Sequence, residues 1–80
     1  MFFVYILSSR KRKYIYVGLT SNLNERIKRH NAGHEKTTSP YSPFEIILTE
    51  KYFTRPEARK REKQLKSGYG KEWLKTEFGL

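Results

Sequence analysis

Phe2-Phe3-Val4-Tyr5-Ile6-Leu7 and Tyr14-Ile15-Tyr16-Val17-Gly18-Leu19 are two short runs of β-branched and aromatic residues, separated by the polar, basic stretch Ser8-Ser9-Arg10-Lys11-Arg12-Lys13. Side chains of this kind favour strands, and a brief polar interval between two such runs favours an antiparallel hairpin. Strand side chains alternate between faces. Phe3, Tyr5 and Leu7 therefore share one face of the first strand and Tyr14, Tyr16 and Gly18 one face of the second, which makes near neighbours of Tyr5 and Tyr16. A cross-strand aromatic pair would by itself account for the two rings, and a bulge would account for Gly18.

Beyond the hairpin, Asn22 followed by Glu25 forms a capping pattern, so a helix is expected to run to about Ala32 and stop at Gly33. His34 to Pro43, with its Thr, Ser and Pro residues, reads as a loop, and His34 as a loop residue. Phe44 to Phe53 reads as a third strand through Ile46, Ile47, Leu48, Tyr52 and Phe53. Thr54 with Glu57 caps a second helix, which tolerates Pro56 in its first turn and ends near Ser67, before Gly68. A last helix over about Lys71 to Phe78 is expected to place Trp73, Leu74 and Phe78 in the core. The element order is β-β-α-β-α-α.

Eighty residues accommodate one domain, residues 1–80. A domain of this size buries only roughly 60% of the surface its unfolded chain exposes. Without cysteine, neither a disulfide nor a thiolate zinc site can reinforce it, so the six Tyr, five Phe and one Trp must supply the packing. The apolar run Met1 to Leu7 is too short to span a bilayer and precedes basic residues, the reverse of a signal peptide's order. A soluble, cytoplasmic protein with no membrane contact is expected. Seventeen Lys and Arg against eight Glu leave a formal charge of +9, which calls for a polyanionic partner. The cations gather at Arg10 to Lys13, at Arg26, Lys28 and Arg29, and along Arg55 to Lys66, as if on the edges of one phosphate-contacting surface.

Helical spacing makes a few charged positions conspicuous, since each residue advances roughly 100° around the axis. Leu23 and Ile27 mark the inward face of the first helix, with Arg26 and His30 beside it and Glu25, Lys28 and Arg29 turned away. In the second helix Glu62 falls between Ala58 and Leu65 on the inward face. A carboxylate there needs a counter-charge, donors or a metal ion. Glu62 could therefore hold Mg²⁺ or Mn²⁺ together with waters and a substrate phosphate, or pair with Arg26, Arg59 or Arg61. Arg26 reads equally as part of a solvated face, and His30 as a capping or core histidine.

These residues in this order resemble the GIY-YIG nuclease family, whose catalytic domain is found in excision-repair and homing endonucleases, over essentially the whole chain. Val4-Tyr5 stands for the motif's Ile-Tyr, with Phe3 where glycine would be, and Tyr16-Val17-Gly18 matches the second half of the signature. Arg26, His30 and Glu62 follow in the family's order. His30-Asn31-Ala32-Gly33, Glu62-Lys63-Gln64-Leu65-Lys66 and Gly70-Lys71-Glu72-Trp73-Leu74 are similar to stretches of small stand-alone members. The resemblance implies an α+β fold, a three-stranded antiparallel sheet flanked by helices, with an active site on the sheet face that carries the two tyrosines. It also implies metal-assisted phosphodiester hydrolysis. Tyr16 or His30 would help deprotonate the attacking water, with Tyr5 holding the hydrogen-bond network. Arg26 would neutralise charge on the phosphate, and Glu62 would hold one Mg²⁺ or Mn²⁺ on the leaving-oxygen side. Gly18 would let the substrate backbone approach, and Lys28, Arg29, Lys63 and Lys66 would contact it. The expected substrate is DNA, at branched, damaged or single-stranded structures, as in DNA repair. A non-catalytic nucleic-acid-binding module of the same fold is the alternative, and a small basic RNA- or ribosome-associated protein a third reading. Larger members carry an asparagine after the last core helix or strand and separate DNA-binding domains; the final asparagine here is Asn31, and sequence specificity would have to come from a protein partner or be absent.

Overall fold

A run such as Val4-Tyr5-Ile6-Leu7 is stable only where both faces of its strand are covered, and in the computed structural model it lies in the middle of a sheet. The structure describes residues 1–79. Strand β1 (Phe2–Ser9) pairs antiparallel with β2 (Ile15–Thr20) on one side and with β3 (Phe44–Tyr52) on the other, giving the order β2-β1-β3. Val4, Tyr5, Ile6 and Leu7 are at most 1% exposed. Burying side chains of this size is worth about 1.5–3 kcal/mol each, and with no cross-link this apolar burial carries the fold.

The hairpin loop is organised by Ser9. Its N–H donates to the Tyr14 carbonyl at 3.0 Å, and its hydroxyl oxygen accepts from the Lys11 and Arg12 amides, each at 3.1 Å. These bonds carry β1 past Leu7 to Ser9 and start β2 at Ile15, one position after Tyr14. The β1–β2 register is regular, with Tyr5 opposite Gly18 and Leu7 opposite Tyr16. Gly18 therefore marks no bulge. The irregularity lies between β1 and β3, where pairing steps from Ile6 with Leu48 to Leu7 with Ile46.

Helix α1 (Leu23–Asn31) is capped by Asn22, whose side chain accepts from the Glu25 amide at 3.2 Å, and the chain leaves it through Gly33 at φ +75°. Helix α2 (Arg55–Lys66) is capped in the same way by Thr54, accepting from the Glu57 amide at 3.4 Å. Helix α3 (Gly68–Phe78) begins earlier than the expected Lys71, because the Ser67 hydroxyl accepts from the Gly70 amide at 3.2 Å and so caps it. Gly68 is thus the first residue of α3, and Ser67 before it closes α2. Gly70 lies so tightly against the Gln64 and Leu65 carbonyls that a Cβ would overlap them, which sets α3 hard against the end of α2.

The two helical layers cover opposite faces of the sheet. On one, Val4, Ile6 and Val17 pack with Ala58, Leu65 and Leu74 of α2 and α3. On the other, Tyr5, Leu7 and Phe44 pack with Tyr14, Tyr16, Leu23, Ile27 and Tyr41, and Tyr14 stacks on Tyr41 at 3.8 Å between centroids. The segment expected as loop contains a short 3₁₀ turn, Ser39–Tyr41, and the Asn31 side chain accepts from the Phe44 amide at 2.7 Å, tying the end of α1 to the start of β3. Phe78, expected in the core, lies at the surface and meets half-buried Trp73 edge-on, because the inner face of α3 ends at Leu74. Among the described residues no helix is long and apolar enough to cross a membrane.

Candidate functional site

Register and alternation bring Tyr5, Tyr16 and His30 together beneath α1. Ring centroids lie 6.2 Å apart for Tyr5 and Tyr16, 5.7 Å for Tyr5 and His30, and 5.0 Å for Tyr16 and His30. Tyr5 leans across its register partner Gly18, where a Cβ would overlap the Tyr5 ring and press on Tyr16 at 2.8 Å. The missing side chain makes room for Tyr5, so buried Gly18 has a task inside the fold. His30, 1% exposed, bonds on both nitrogens: Nε2 to the Tyr5 hydroxyl at 2.9 Å and Nδ1 to the Thr38 hydroxyl at 2.8 Å. Thr38 also reaches the Glu35 carbonyl at 3.5 Å. A carbonyl only accepts, so one set of directions satisfies the whole chain: Thr38 donates to Glu35, His30 Nδ1–H donates to Thr38, and the Tyr5 hydroxyl donates to Nε2. The imidazole is neutral in that arrangement, and its pKa is held below the ordinary histidine value, chiefly by burial, with Arg26 and Arg29 adding to the shift and Glu35 opposing it. Burial, followed by the neighbouring Tyr16, pushes the Tyr5 hydroxyl pKa well up. Tyr16 is half-buried, and its hydroxyl has no hydrogen-bond partner among the described residues.

Arg26 borders this cluster from α1, but it is not free. Glu35, from the segment after α1, receives the Arg29 Nε–H at 2.8 Å and lies 3.7 Å from an Arg26 guanidinium nitrogen. Its carboxyl is held below the usual range, first by the hydrogen bond from Arg29. Arg29 is the main holder of Glu35, and Arg26 keeps the looser contact. Both arginines line a groove with Thr20, Ser21 and Asn22. Lys28 is exposed on the outer side of α1.

Glu62 comes from the other layer. It is 5% exposed, with Ala58 and Leu65 on the buried side of α2, and one oxygen accepts from Arg59 at 2.8 Å and the other from Lys66 at 3.1 Å. Of the expected arginine partners only Arg59 is used, since Arg61 bonds to Glu50 at 2.8 and 3.1 Å and Arg26 approaches Glu35. The tyrosines and Glu62 therefore do not share one sheet face, because α2 packs on the Val4 and Ile6 side. The halves meet at the free edge of β2, where Tyr16, Lys66 and Lys71 line a groove floored by Val17, Leu65 and Leu74. Lys63 faces a different groove, beside Lys60 and Tyr52.

Among the described residues no three His, Cys, Asp or Glu side chains converge as a metal-ligand set. Glu62 nevertheless suits a hard divalent ion, because such an ion binds through one carboxylate, waters and a substrate phosphate, and both cations now on Glu62 sit on side chains about half exposed that can turn away. Sequence reasoning missed Glu35, Thr38 and Lys71. The first two lie in a segment with no periodicity and act through folded contacts, while Lys71 is marked in the sequence only within the family-like stretch Gly70 to Leu74 and given no role.

A family model described as the GIY-YIG catalytic domain matches residues 1–76. Among similar proteins, a UPF0213 protein of Staphylococcus epidermidis is 35% identical over 74 residues, covering 91% of this chain and 89% of the relative. UPF0213 proteins of Natronomonas pharaonis and Oceanobacillus iheyensis are each 35% identical, over 81% and 80% of this chain and 76% and 74% of their own lengths. No solved structure matches the chain.

Proposed function

Because the chain belongs to the GIY-YIG catalytic domain family, we propose that it is a metal-dependent endonuclease that hydrolyses phosphodiester bonds of nucleic acid, with DNA as its substrate. The observation that carries this reading is Tyr16. Its hydroxyl, unlike that of Tyr5, has no protein partner among the described residues, and it stands at the groove edge beside Lys66 and Lys71. A phosphate drawn in by the two lysines would lie next to it.

Tyr16 is then the group that meets the attacking water and helps remove its proton. His30, with both nitrogens engaged and almost no exposure, acts behind it: it fixes Tyr5, and Tyr5 and His30 together fix the Tyr16 ring. Arg26 offsets charge that develops on the phosphate, its loose contact with Glu35 giving way while Arg29 keeps Glu35 in place. Glu62 would hold Mg²⁺ or Mn²⁺, exchanging Arg59 and Lys66 for the ion. When bound, the ion supplies Lewis acidity toward the leaving oxygen. Lys66 and Lys71 position the backbone.

A panel of labelled duplex, single-stranded and branched DNA, with RNA counterparts, tests the reading. Cleavage with Mg²⁺ or Mn²⁺, faster on DNA, and none in chelator is expected. Binding without cleavage of any substrate under either ion would replace the enzyme by a nucleic-acid-binding module.

A further inference from the structure

We propose that the hollow between α2 and α3, framed by Arg61, Gln64, Tyr69 and Trp73, receives an unpaired nucleobase, so that the nucleic acid this chain acts on is single-stranded or locally opened where it passes α3. The inference rests on the nucleic-acid reading above and adds the structural class of the substrate.

Tyr69 is 74% exposed on the first turn of α3, a large aromatic ring with no place in either core. The tight seat of Gly70 on the Gln64 and Leu65 carbonyls fixes that turn, so the ring is presented from a rigid base beside α2. The hollow it borders is about 150 Å³, lined also by Leu65 and Gly70, and suits one flat ring system. Its walls are held in place. Arg61 spans Glu50 with two donors at 2.8 and 3.1 Å, gives a third to the Gln64 side-chain oxygen at 2.9 Å, and sits 5.5 Å from the Trp73 ring centroid. Arg61 is thus a fixed flat wall, its charge answered by Glu50. Because the Gln64 oxygen accepts from Arg61, the Gln64 amide N–H groups remain as the donors available to a base edge.

The hollow adjoins the proposed site. It shares Leu65 with the groove of Tyr16, Lys66 and Lys71, and α3 walls both, with Tyr69 and Trp73 on one side and Lys71 and Leu74 on the other. A nucleotide whose base enters the hollow leaves its phosphates to the two lysines and leads the backbone toward Tyr16. A continuous duplex keeps its bases stacked and paired and cannot make this insertion, whereas an unpaired base gains an aromatic face on which to stack.

Trp73 is the only tryptophan, so its emission reports occupancy of the hollow. Binding of an oligothymidine of about ten nucleotides, within the usual site size of single-strand binders, is measured in chelator by Trp73 quenching and by anisotropy of an end label, beside a duplex of equal length. Saturable quenching by the single strand is expected. Tyr69→Ala should weaken single-strand binding about ten-fold or more and duplex binding less than about two-fold, and Tyr69→Phe should restore it, because stacking uses the ring. Equal binding of the single strand by Tyr69→Ala and wild type, equal weakening of both nucleic acids, or absence of quenching at saturation would overturn the proposal. The exposed position of Tyr69 makes misfolding of these variants a poor explanation of any loss. Since no turnover occurs in chelator, Tyr69-dependent binding without cleavage in Mg²⁺ would remove the enzyme reading alone, and cleavage indifferent to Tyr69 would remove this inference alone.

Discussion

At position 30 an imidazole has been withdrawn from water with both nitrogens engaged, and its protonation state follows from what it touches. Burial above all, then Arg26 and Arg29, lowers its pKa against the opposing pull of Glu35. The folded protein therefore takes up this proton less readily than the unfolded chain, in which histidine titrates near about 6.5. Stability from this group is full above about pH 6.5 and is lost as pH falls from there toward the folded-state value. Thermal unfolding between about pH 8 and 5 should show wild type losing more melting temperature on acidification than His30→Gln; parallel curves would mean that His30 is not held neutral. Tyr16 has the opposite character, a hydroxyl with no internal bond among the described residues. Tyr16→Phe removes that oxygen and keeps the ring packed against His30, so cleavage should fall about 100-fold or more while the melting temperature stays close to wild type. Wild-type cleavage by this variant would make Tyr16 a structural residue.

Strand β2 shows how an element can serve chemistry through what it omits. Gly18 sits opposite Tyr5, and the ring occupies the space a side chain would fill. Gly18→Ala should cost about 1–3 kcal/mol, read as a lower urea midpoint, with weakened cleavage because Tyr5 and His30 shift together. An unchanged midpoint would show that the Tyr5 ring has room to move aside. The elements themselves were legible because their signals are local: two β-rich runs around a polar turn, Asn22 with Glu25, and Thr54 with Glu57. Gly68 misled because a glycine at a helix end looks like a stop, whereas Ser67 ends α2 and caps α3 at once. Gly18 was legible as special, but its purpose depends on register. Arg26, His30 and Glu62 were found through helix faces and the family's order, but which layer each faces is a property of the packed molecule. For the same reason Glu35 and Thr38, which hold Arg29 and His30, left no trace in spacing.

On the scale of the whole chain, a three-stranded sheet separates two helical layers, each contributing half of the candidate site. The Tyr5, Tyr16, His30 and Arg26 cluster lies on the α1 side, Glu62 arrives on α2 from the other, and the free edge of β2 is where a substrate strand could meet both. With a charge of +9, a nucleic acid would be drawn to this basic surface broadly, so binding by itself distinguishes little. Glu62 discriminates better, because it is a buried carboxylate whose present partners, Arg59 and Lys66, are about half exposed and can regain water when it is neutralised. The most direct measurement is therefore the cleavage rate of Glu62→Gln beside wild type in Mg²⁺, with melting temperature and binding in chelator taken on the same preparations. A folded variant that binds nucleic acid at least as well as wild type but cuts about 100-fold or more slowly is the predicted result. A folded variant that cuts at the wild-type rate would contradict metal-assisted hydrolysis through Glu62.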